Sequence, residues 1–267
     1  RILAGKFGAP FSYATFHHER TLAPGQLSFD QMKETYGYES INKETEVFGV
    51  IADPIGHSLS PAIHNAAFQD QQMNRVYVPF RVPRESLEEF LMECPELGVR
   101  GLSVTIPHKE AVIPLLTDVD PVAREIGAVN TIIFDGKKRI GYNTDHQAAM
   151  QTLANASARE AESKWLQNRV VLLLGAGGVS RAIGHGLKEA GARVVISSRT
   201  LIRAEELAKR EFSSYVSPEL AVLLAYAKMH AVDEILDSVV PDEPWMKREL
   251  AGYFPDALRE QYGDYIA

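Results

Sequence analysis

Hydrophobic residues alternate along much of the chain between short apolar runs and stretches with helical spacing. The runs rich in β-branched side chains predict strands, and the amphipathic stretches after them predict helices. The expected strands are residues 47–52, 76–82 and 101–106, and the expected helices are residues 60–72, 85–92 and 109–116. This alternation predicts an α/β fold with a parallel sheet covered on both faces.

Two further elements follow in the first half of the chain. Residues 129–142 predict a β-hairpin that turns at Asp135-Gly136, and residues 145–155 predict another helix. Residues 1–45 differ, because they are rich in Gly, Pro, Phe and Tyr, with a turn at residues 23–26 and one helical pattern over 28–36. Ser28 is expected to cap that helix, and the segment shows no core of its own.

A second unit begins near residue 169. Residues 169–174 predict a strand, a glycine-rich turn and a helix to Ala190 follow, and residues 193–197 and 201–211 predict a second strand and helix. This order is the opening of a dinucleotide-binding fold. A complete fold of that class needs about four more strands, and no strand pattern follows Ser197, so the sequence predicts an incomplete Rossmann-like domain.

The last part of the chain has a different character. Residues 213–267 show helical spacing and carry ten acidic and four basic side chains, a net charge of −6 out of −7 for the whole chain. The expected organisation is therefore an N-terminal remnant (1–45), an α/β substrate domain (46–155), a partial cofactor domain (156–212) and a helical tail (213–267).

Composition narrows the class of protein. With 267 residues, 45% hydrophobic and 24% charged, the chain is expected to fold as a globular protein of one or two domains. A single cysteine, Cys94, excludes an internal disulfide and a cysteine-built metal site, and it favours a reducing compartment. No apolar run is long enough for a membrane span, and the N-terminal sequence does not resemble a signal peptide. We expect a cytoplasmic protein without nucleic-acid or membrane partners; its oligomeric state does not follow from the sequence.

The glycine turn is the first candidate binding site. Gly175 would form the tight turn, Gly177 would let a pyrophosphate approach the backbone, and Gly178, Val179 and Ser180 would supply amides at the helix N-terminus. Ser180 stands where the third glycine of the usual pattern would be. The strand before and the helix after favour a nucleotide site over an ordinary β-α turn.

The end of the second strand indicates which nucleotide would bind. An acidic residue there would contact an adenosine ribose, but the sequence has Ser198, Arg199 and Thr200, with Arg203 one turn later. Two guanidinium groups and hydroxyls suit a 2′-phosphate, so NADP is favoured over NAD. The alternative is that both arginines are solvated charges at a helix start.

A second group of polar residues lies in the first half, at the ends of predicted strands. Ser58 and Ser60 at a strand-to-helix turn suit a carboxylate, although Ser60 alone is also an ordinary helix cap. Ser103, Thr105 and Lys109 follow the strand 101–106, at the edge where open α/β sheets bind ligands.

Lys109 is expected to be functional, because a cation at the start of the predicted helix 109–116 would be disfavoured by up to about 1 kcal/mol. Asn130 precedes the first hairpin strand, and Asp145 follows the second, where it is either a helix cap or part of the site.

Five motifs in this order resemble the shikimate dehydrogenases. They are SLSP starting at Ser58, SVTIPHK ending at Lys109, GAVNT ending at Thr131, GYNTD ending at Asp145 and GAGGVSR ending at Arg181. The sequences RILAGKFG and APGQ in residues 1–45 resemble the end of a type I 3-dehydroquinate dehydratase, as in bifunctional members of the family. Residues 213–267 resemble the C-terminal region of the large NAD-specific glutamate dehydrogenases.

The resemblance implies NADPH-dependent, reversible reduction of 3-dehydroshikimate to shikimate. It implies that Ser58 and Ser60 hold the substrate carboxylate and that Thr105, Asn130, Lys109 and Asp145 hold ring oxygens, with Lys109 and Asp145 as the catalytic pair. Ser103, which stands where many relatives have Asn, is included among the substrate contacts. Two alternatives remain: a quinate dehydrogenase, and a catalytically impaired shikimate-binding fusion or fragment.

Overall fold

A computed structural model describes residues 1–17, 26–56, 58–156, 166–198 and 200–211. The chain forms two compact units, Arg1–Asn143 and Thr144–Ala267. The expected helical tail at 213–267, the side chain of Arg199 and most of the expected turn at 23–26 lie outside the described residues.

The first unit is built on a six-stranded sheet in the order β2-β1-β3-β5-β6-β4. Its strands are β1 (Glu46–Ala52), β2 (Arg75–Arg81), β3 (Val99–Val104), β4 (Asp118–Val119), β5 (Thr131–Asp135) and β6 (Lys138–Tyr142). Its α-helices are α1 (Ser60–Asp70), α2 (Leu87–Glu93) and α3 (Pro121–Ile126), and single 3-10 turns lie at Tyr38–Ser40, Arg84–Ser86 and Ile113–Leu115.

The predicted parallel sheet is confirmed for three of its five strand pairings and is wrong for the two that β5 makes, which are antiparallel. Strand β1 pairs in parallel with β2 and β3, as the alternation predicted. The predicted hairpin forms β5 and β6, and β5 then adds to β3 in the antiparallel sense. A two-residue turn can join only antiparallel strands, so once the hairpin enters the sheet the sheet is mixed.

The predicted helix at 109–116 is also wrong, because only Ile113–Leu115 forms a helical turn, of the 3-10 type. Pro114 explains this: it lacks the N–H that an α-helix needs at an interior position, and its ring clashes with the preceding turn. Lys109 therefore does not open a helix, and the dipole argument for its function fails. Strand β4 and helix α3 were not predicted, because each is too short for a periodic signal.

The N-terminal segment packs on the sheet of the first unit. The side chains of Tyr36 and Ile41 are buried in the same core cluster as the strands, and Met32 is buried as well. Ser28 and Gln31 form a reciprocal cap: the Ser28 amide donates to Gln31 Oε1 at 3.0 Å and the Gln31 amide donates to Ser28 Oγ at 3.2 Å. The predicted cap is thus confirmed, and a π-helical turn at Gln31–Thr35 follows it.

The core of the first unit lies on both sides of β1 and β3. Val47, Ile51, Val104 and Ile132 are almost completely buried, as expected for strands paired on both sides. Gly49, in the middle of β1, lies so close to β2 that a Cβ atom would collide with the Val78 carbonyl oxygen and lie 2.6 Å from Phe80 Cε2. The close packing at β1 therefore excludes any side chain at this position.

The second unit contains the predicted β-α-β-α sequence. Its described elements are α4 (Asp145–Ala156), β7 (Val170–Leu174), α5 (Gly178–Glu189), β8 (Arg193–Ser197) and α6 (Leu201–Glu211). Strands β7 and β8 are parallel. Helices α4 and α5 approach closely at Gly186, where a Cβ atom would lie 2.5 Å from Met150 Cγ. None of the helices in the described part of the chain has the length and apolar character that a bilayer crossing requires.

We expect Gly49→Ala to lower the free energy of unfolding by about 1 to 3 kcal/mol, because the added methyl group overpacks the contact between β1 and β2. Urea denaturation of the purified chain measures this. Gly56→Ala is the matched control, since a Cβ atom there has no heavy atom within 4 Å, and its stability should stay within about 0.5 kcal/mol of wild type. Equal stability of the two variants would contradict the packing argument.

Candidate active site

The polar residues of the first unit gather at one edge of its sheet. Parallel β1 and β3 end at the same edge, and β5, antiparallel to β3, begins there. Ser58 and Ser60 follow β1, Thr105 follows β3, and Asn130 precedes β5. The topology therefore brings the predicted substrate-contacting segments of this unit together, as expected for the carboxyl edge of an α/β sheet.

The serine pair lies where the loop after β1 enters α1. The Ser60 amide donates to Ser58 Oγ at 3.3 Å, so the two residues share a local turn. Helix α1 begins at Ser60, with Pro61 at its first turn, and neither serine is fully buried. His57 lies outside the described residues. Both hydroxyl groups are thus near a helix N-terminus, an arrangement that favours an anionic group.

Ser103 and Thr105 lie at the end of β3, with different partners. Ser103 Oγ accepts a hydrogen bond of 2.7 Å from the hydroxyl of Tyr77, which is on β2. The Thr105 amide donates to the Ile51 carbonyl oxygen at 3.2 Å. The hydrogen bonding between β3 and β1 therefore continues one residue beyond Val104, the last paired residue of β3. The half-buried side chains of both residues are partly open to solvent.

Lys109 lies in a loop that backbone and side-chain hydrogen bonds fix at several points. Its carbonyl oxygen accepts from the Val129 amide at 2.7 Å, and the His108 amide donates to the Thr105 carbonyl oxygen at 2.8 Å. The His108 ring, with no exposed surface, donates through Nε2 to the Val82 carbonyl oxygen at 2.7 Å. Fixing the backbone on both sides of Lys109 restricts the positions that its ammonium group reaches.

His108 is buried as a neutral imidazole. Burial lowers its pKa, and the Arg84 charge acts in the same direction, while the Val82 hydrogen bond and the Asp53 carboxylate oppose them. With the proton on Nε2, Nδ1 has no hydrogen-bond partner among the described residues. Protonation would therefore bury a charged N–H group without an acceptor, at a cost in stability.

The backbone of Asn130 is hydrogen-bonded to two strands, β3 and β6. Its carbonyl oxygen accepts from the Val104 amide at 2.7 Å, and its own amide donates to the Tyr142 carbonyl oxygen at 3.0 Å. Its side-chain oxygen accepts from Thr131 Oγ1 at 2.9 Å. Asp145 opens α4 in the second unit, whereas Lys109 belongs to the first. That these two residues act as a pair stays a prediction.

The glycine turn of the second unit has the geometry of a phosphate-binding loop. Gly175 has a φ of +99°, a conformation that L side chains rarely adopt. At Gly177, the residue before α5, a Cβ atom would have no heavy atom within 4 Å, so the backbone there is open. The Arg181 amide donates to the Gly177 carbonyl oxygen. The amides of Gly178, Val179 and Ser180 therefore have no acceptor within the helix.

Ser180 replaces the third glycine without opening the turn. Its side chain is buried, and Ser180 Oγ lies 3.3 Å from where a Cβ atom of Gly175 would be. The close approach of α5 to a neighbouring helix is made instead at Gly186, one and a half turns later.

The predicted 2′-phosphate residues lie at the turn from β8 to α6. Ser198 Oγ accepts from the Thr200 amide at 3.2 Å, and the Thr200 carbonyl oxygen accepts from the Arg203 amide at 3.1 Å. The side chains of Thr200 and Arg203 are exposed. Among the described residues, no group of three or more His, Cys, Asp or Glu side chains is arranged to hold a metal ion.

Comparison with known proteins agrees with this architecture. Residues 50–132 match the family described as the shikimate dehydrogenase substrate binding domain, and residues 213–267 match the glutamate dehydrogenase C-terminal family. A bifunctional 3-dehydroquinate dehydratase/shikimate dehydrogenase of Arabidopsis thaliana is 39% identical over 219 residues, which cover 78% of this chain and 36% of that protein.

Two further relatives are bacterial. The shikimate dehydrogenase (NADP(+)) of Carboxydothermus hydrogenoformans is 43% identical over 63% of this chain and 58% of its own length. The structure of shikimate 5-dehydrogenase from Thermus thermophilus in complex with NADP(H) and shikimate is 35% identical, with a TM-score of 0.56 over 65% of this chain and 63% of that one. The chain is related to the shikimate dehydrogenases.

The two resemblances found in the sequence, to shikimate dehydrogenases and to a glutamate dehydrogenase C-terminal region, are thereby confirmed. The chain spans 36% and 58% of the length of the two curated shikimate dehydrogenase relatives named above. The match to the substrate binding domain, over residues 50–132, includes the sheet edge described above.

Sequence reasoning missed Tyr77 and His108 of this shikimate dehydrogenase-like unit. Tyr77 appeared only as an aromatic residue of an apolar strand, and its contact with Ser103 joins strands that are not adjacent in the sheet. His108 stands inside the SVTIPHK motif but was not assigned a role. Its position directly before Lys109, in a segment with two prolines, was the available signal.

We expect the unfolding free energy of the wild-type chain to fall with decreasing pH more steeply than that of His108→Gln. The unfolded imidazole takes up a proton near its ordinary pKa of about 6.5, whereas burial lowers the pKa of the folded one. At low pH the unfolded chain therefore binds more protons than the folded chain. The stabilisation that comes from the buried, neutral His108 ring is present above about pH 6.5 and is lost as the pH falls below it.

Urea denaturation at a series of pH values between about 8 and about 5 tests this, because that range spans the ordinary histidine pKa. Gln keeps an N–H donor for the Val82 carbonyl oxygen but does not titrate, so the stability difference between wild type and variant should shrink as the pH falls. A difference that stays constant over the whole range would contradict the role of the buried imidazole.

Proposed function

We propose that this chain carries the shikimate dehydrogenase activity of its relatives: reversible, NADPH-dependent reduction of 3-dehydroshikimate to shikimate. The observation that supports this most is the gathering of Ser60, Thr105 and Asn130 with the fixed Lys109 loop at one sheet edge. Hydroxyl, amide and ammonium donors at one edge match a substrate that carries a carboxylate and several ring oxygens.

The serines at the start of α1 would hold the carboxylate. Ser58 and Ser60 provide hydroxyl donors, and the helix N-terminus favours negative charge. Ser103, Thr105 and Asn130 would hold the ring oxygens. These groups are neutral, so they bind hydroxyl groups without the desolvation cost of a further buried charge.

Lys109 would deliver the proton. Reduction of the C3 carbonyl needs a hydride at carbon and a proton at oxygen, and a lysine ammonium group held against that oxygen supplies the proton as a general acid. Asp145 would orient the Lys109 ammonium group. The hydrogen bonds at Val129 and His108 support this role, because a general acid must lie within hydrogen-bond reach of the oxygen it protonates.

The glycine turn would hold the cofactor. A bound NADPH supplies the hydride. The open backbone at Gly177 and the amides of Gly178, Val179 and Ser180 fit a pyrophosphate, and Gly175 provides the left-handed turn that brings them there.

The 2′-phosphate of NADP would lie against Ser198, Arg199, Thr200 and Arg203. Exposed Thr200 and Arg203 at the start of α6 support this choice over NAD, because the sequence has no carboxylate at residues 198–200 to bind a free ribose hydroxyl. We infer that the partners are these small molecules and that the protein is cytoplasmic, in keeping with its single, buried cysteine.

In an assay of NADPH oxidation with 3-dehydroshikimate, we expect Lys109→Ala to lower kcat by about 10²- to 10⁴-fold with a smaller change in KM, since a positioned acid acts mainly in the transition state. Lys137→Ala, at the exposed turn between β5 and β6, is the control and should keep wild-type rates. Unchanged turnover in Lys109→Ala would remove this lysine from the mechanism.

The assay in the reverse direction, together with a measurement of shikimate binding, distinguishes the alternatives. A wild-type chain that binds shikimate without turning over either substrate would be a binding protein, and one with faster oxidation of quinate than of shikimate would be a quinate dehydrogenase. Rates on both substrates with NADP and with NAD settle the substrate and the cofactor together.

We expect Gly177→Ala to weaken NADPH binding by at least about tenfold, as a methyl group would occupy the space that a pyrophosphate needs. The free protein should tolerate the change, because a Cβ atom there has no heavy atom within 4 Å and φ is −90°. Fluorescence titration with NADPH and thermal denaturation measure the two effects. NADPH affinity equal to wild type would show that the turn does not hold the pyrophosphate.

A further inference from the structure

Tyr77 reaches across the central strand to the substrate edge. It is on β2, and β1 separates that strand from β3, which carries Ser103. In the register of the sheet, Tyr77 lies beside Phe48 and Ser103 lies beside Val50, so all four side chains are on one face. The Tyr77 side chain extends over β1 on that face, and its hydroxyl group donates to Ser103 Oγ at 2.7 Å.

Helix α1 fixes Tyr77 in both its backbone and its ring. The buried side chain of Asn65 donates to the Tyr77 carbonyl oxygen at 2.8 Å and accepts from its amide at 2.7 Å. The His64 ring stacks on the phenol ring, with centroids 4.3 Å apart and an interplanar angle of 14°. Only 4% of Tyr77 is exposed. Tyr77 is thus held at its amide, its carbonyl group and its ring, and it has little freedom to turn its hydroxyl away from Ser103.

The phenol is also linked to a serine at the start of α1. Burial raises the pKa of Tyr77, and hydrogen bonding by Ser103 and by Ser60 opposes that rise. The hydroxyl groups of Ser103, on β3, and Ser60, on α1, therefore both hydrogen-bond to the phenol oxygen. Ser60 and Ser103 come from separate parts of the chain, and Tyr77 is the group that connects them.

The direction of the hydrogen bond determines what Ser103 offers to a ligand. A hydroxyl group has one proton to donate, and its oxygen accepts through two lone pairs. Because Tyr77 donates to Ser103 Oγ, the proton of Ser103 points away from the phenol and is available to another acceptor. An Asn side chain at this position would be long enough to reach a ring oxygen by itself. Ser103 is shorter, and its hydrogen bond with Tyr77 orients its hydroxyl group.

We propose that Tyr77 is a positioning residue of the substrate site, which orients the Ser103 hydroxyl as a donor to a ring oxygen of the hydroxylated carboxylate substrate. The proposal rests on the proposed function for the identity of that substrate. Tyr77 itself need not touch the ligand. Its effect on binding passes through Ser103, and this distinguishes it from a residue that only fills the core.

A double-mutant cycle on the full chain tests the proposal. Tyr77→Phe removes the hydroxyl and keeps the ring stack, so we expect KM and the calorimetric Kd for shikimate to rise about five- to tenfold, the equivalent of one hydrogen bond. The turnover number kcat should stay within about twofold. In a Ser103→Ala background the same change should raise Kd by a smaller factor than in the wild type, because the coupling through Ser103 is already lost and only the link to Ser60 remains.

Tyr36→Phe is the matched control, since Tyr36 is another buried tyrosine of the first unit whose pKa burial raises. It should leave KM and Kd unchanged. An unchanged Kd in Tyr77→Phe, or an equal effect of Tyr77→Phe with and without Ser103, would overturn the positioning role.

A substrate-independent measurement separates this proposal from the proposed function. NMR titration of ¹³C-labelled tyrosine follows the Tyr77 phenol. When Tyr77 loses its proton, the Ser103 hydroxyl turns to donate to the phenolate, so Ser103→Ala should raise the pKa of Tyr77 further by removing that donor. A raised pKa together with no binding of shikimate by the wild type would refute the proposed function and, with it, the assignment of the ligand, while the link between Tyr77 and Ser103 would stand. An unchanged pKa would overturn the link itself.

Discussion

The pairing of β3 with two different neighbours determines where the polar residues of the first unit gather. On one side β3 runs parallel to β1, and on the other it runs antiparallel to β5. Two strand ends and one strand start therefore meet at a single edge, and the polar residues that follow or precede them meet there too. The backbone bond from the Val104 amide to the Asn130 carbonyl oxygen extends this pairing past the last residue of the strand. A shift of one residue in the register would turn Ser103 to the opposite face, away from Tyr77.

Much of this fold follows from the sequence, because its strands are short apolar runs and its helices α5 and α6 are amphipathic. The strands β1, β2 and β3 and the hairpin of β5 and β6 were all predicted close to their bounds. The sense in which the hairpin joins the sheet was not, since strand direction depends on contacts between residues far apart in the chain. Pro114 is a local signal against a helix at 109–116, and its missing N–H outweighs the apolar spacing of that stretch.

The candidate site was predictable in part for the same reason. Ser60, Thr105 and Asn130 were found because each lies next to the end or start of a strand, and strand ends can be located from the sequence. Tyr77 was not found, because its neighbours at Asn65 and Ser103 are 12 and 26 positions away. The buried ring of His108 shows the same limit. Its acceptor at Val82 is 26 positions away, so only the folded chain shows why a histidine precedes Lys109.

The two hydrogen bonds between Asn65 and the backbone of Tyr77 also change what the outer edge of β2 can bind. This strand lies at the border of the sheet, where backbone groups without partners invite another chain to add a strand. Asn65 occupies both the amide and the carbonyl of Tyr77, and two residues on, Pro79 has no N–H to offer. The middle of this edge therefore gives an incoming strand no continuous ladder to pair with, and the contact that fixes Tyr77 also disfavours the addition of a further strand to β2.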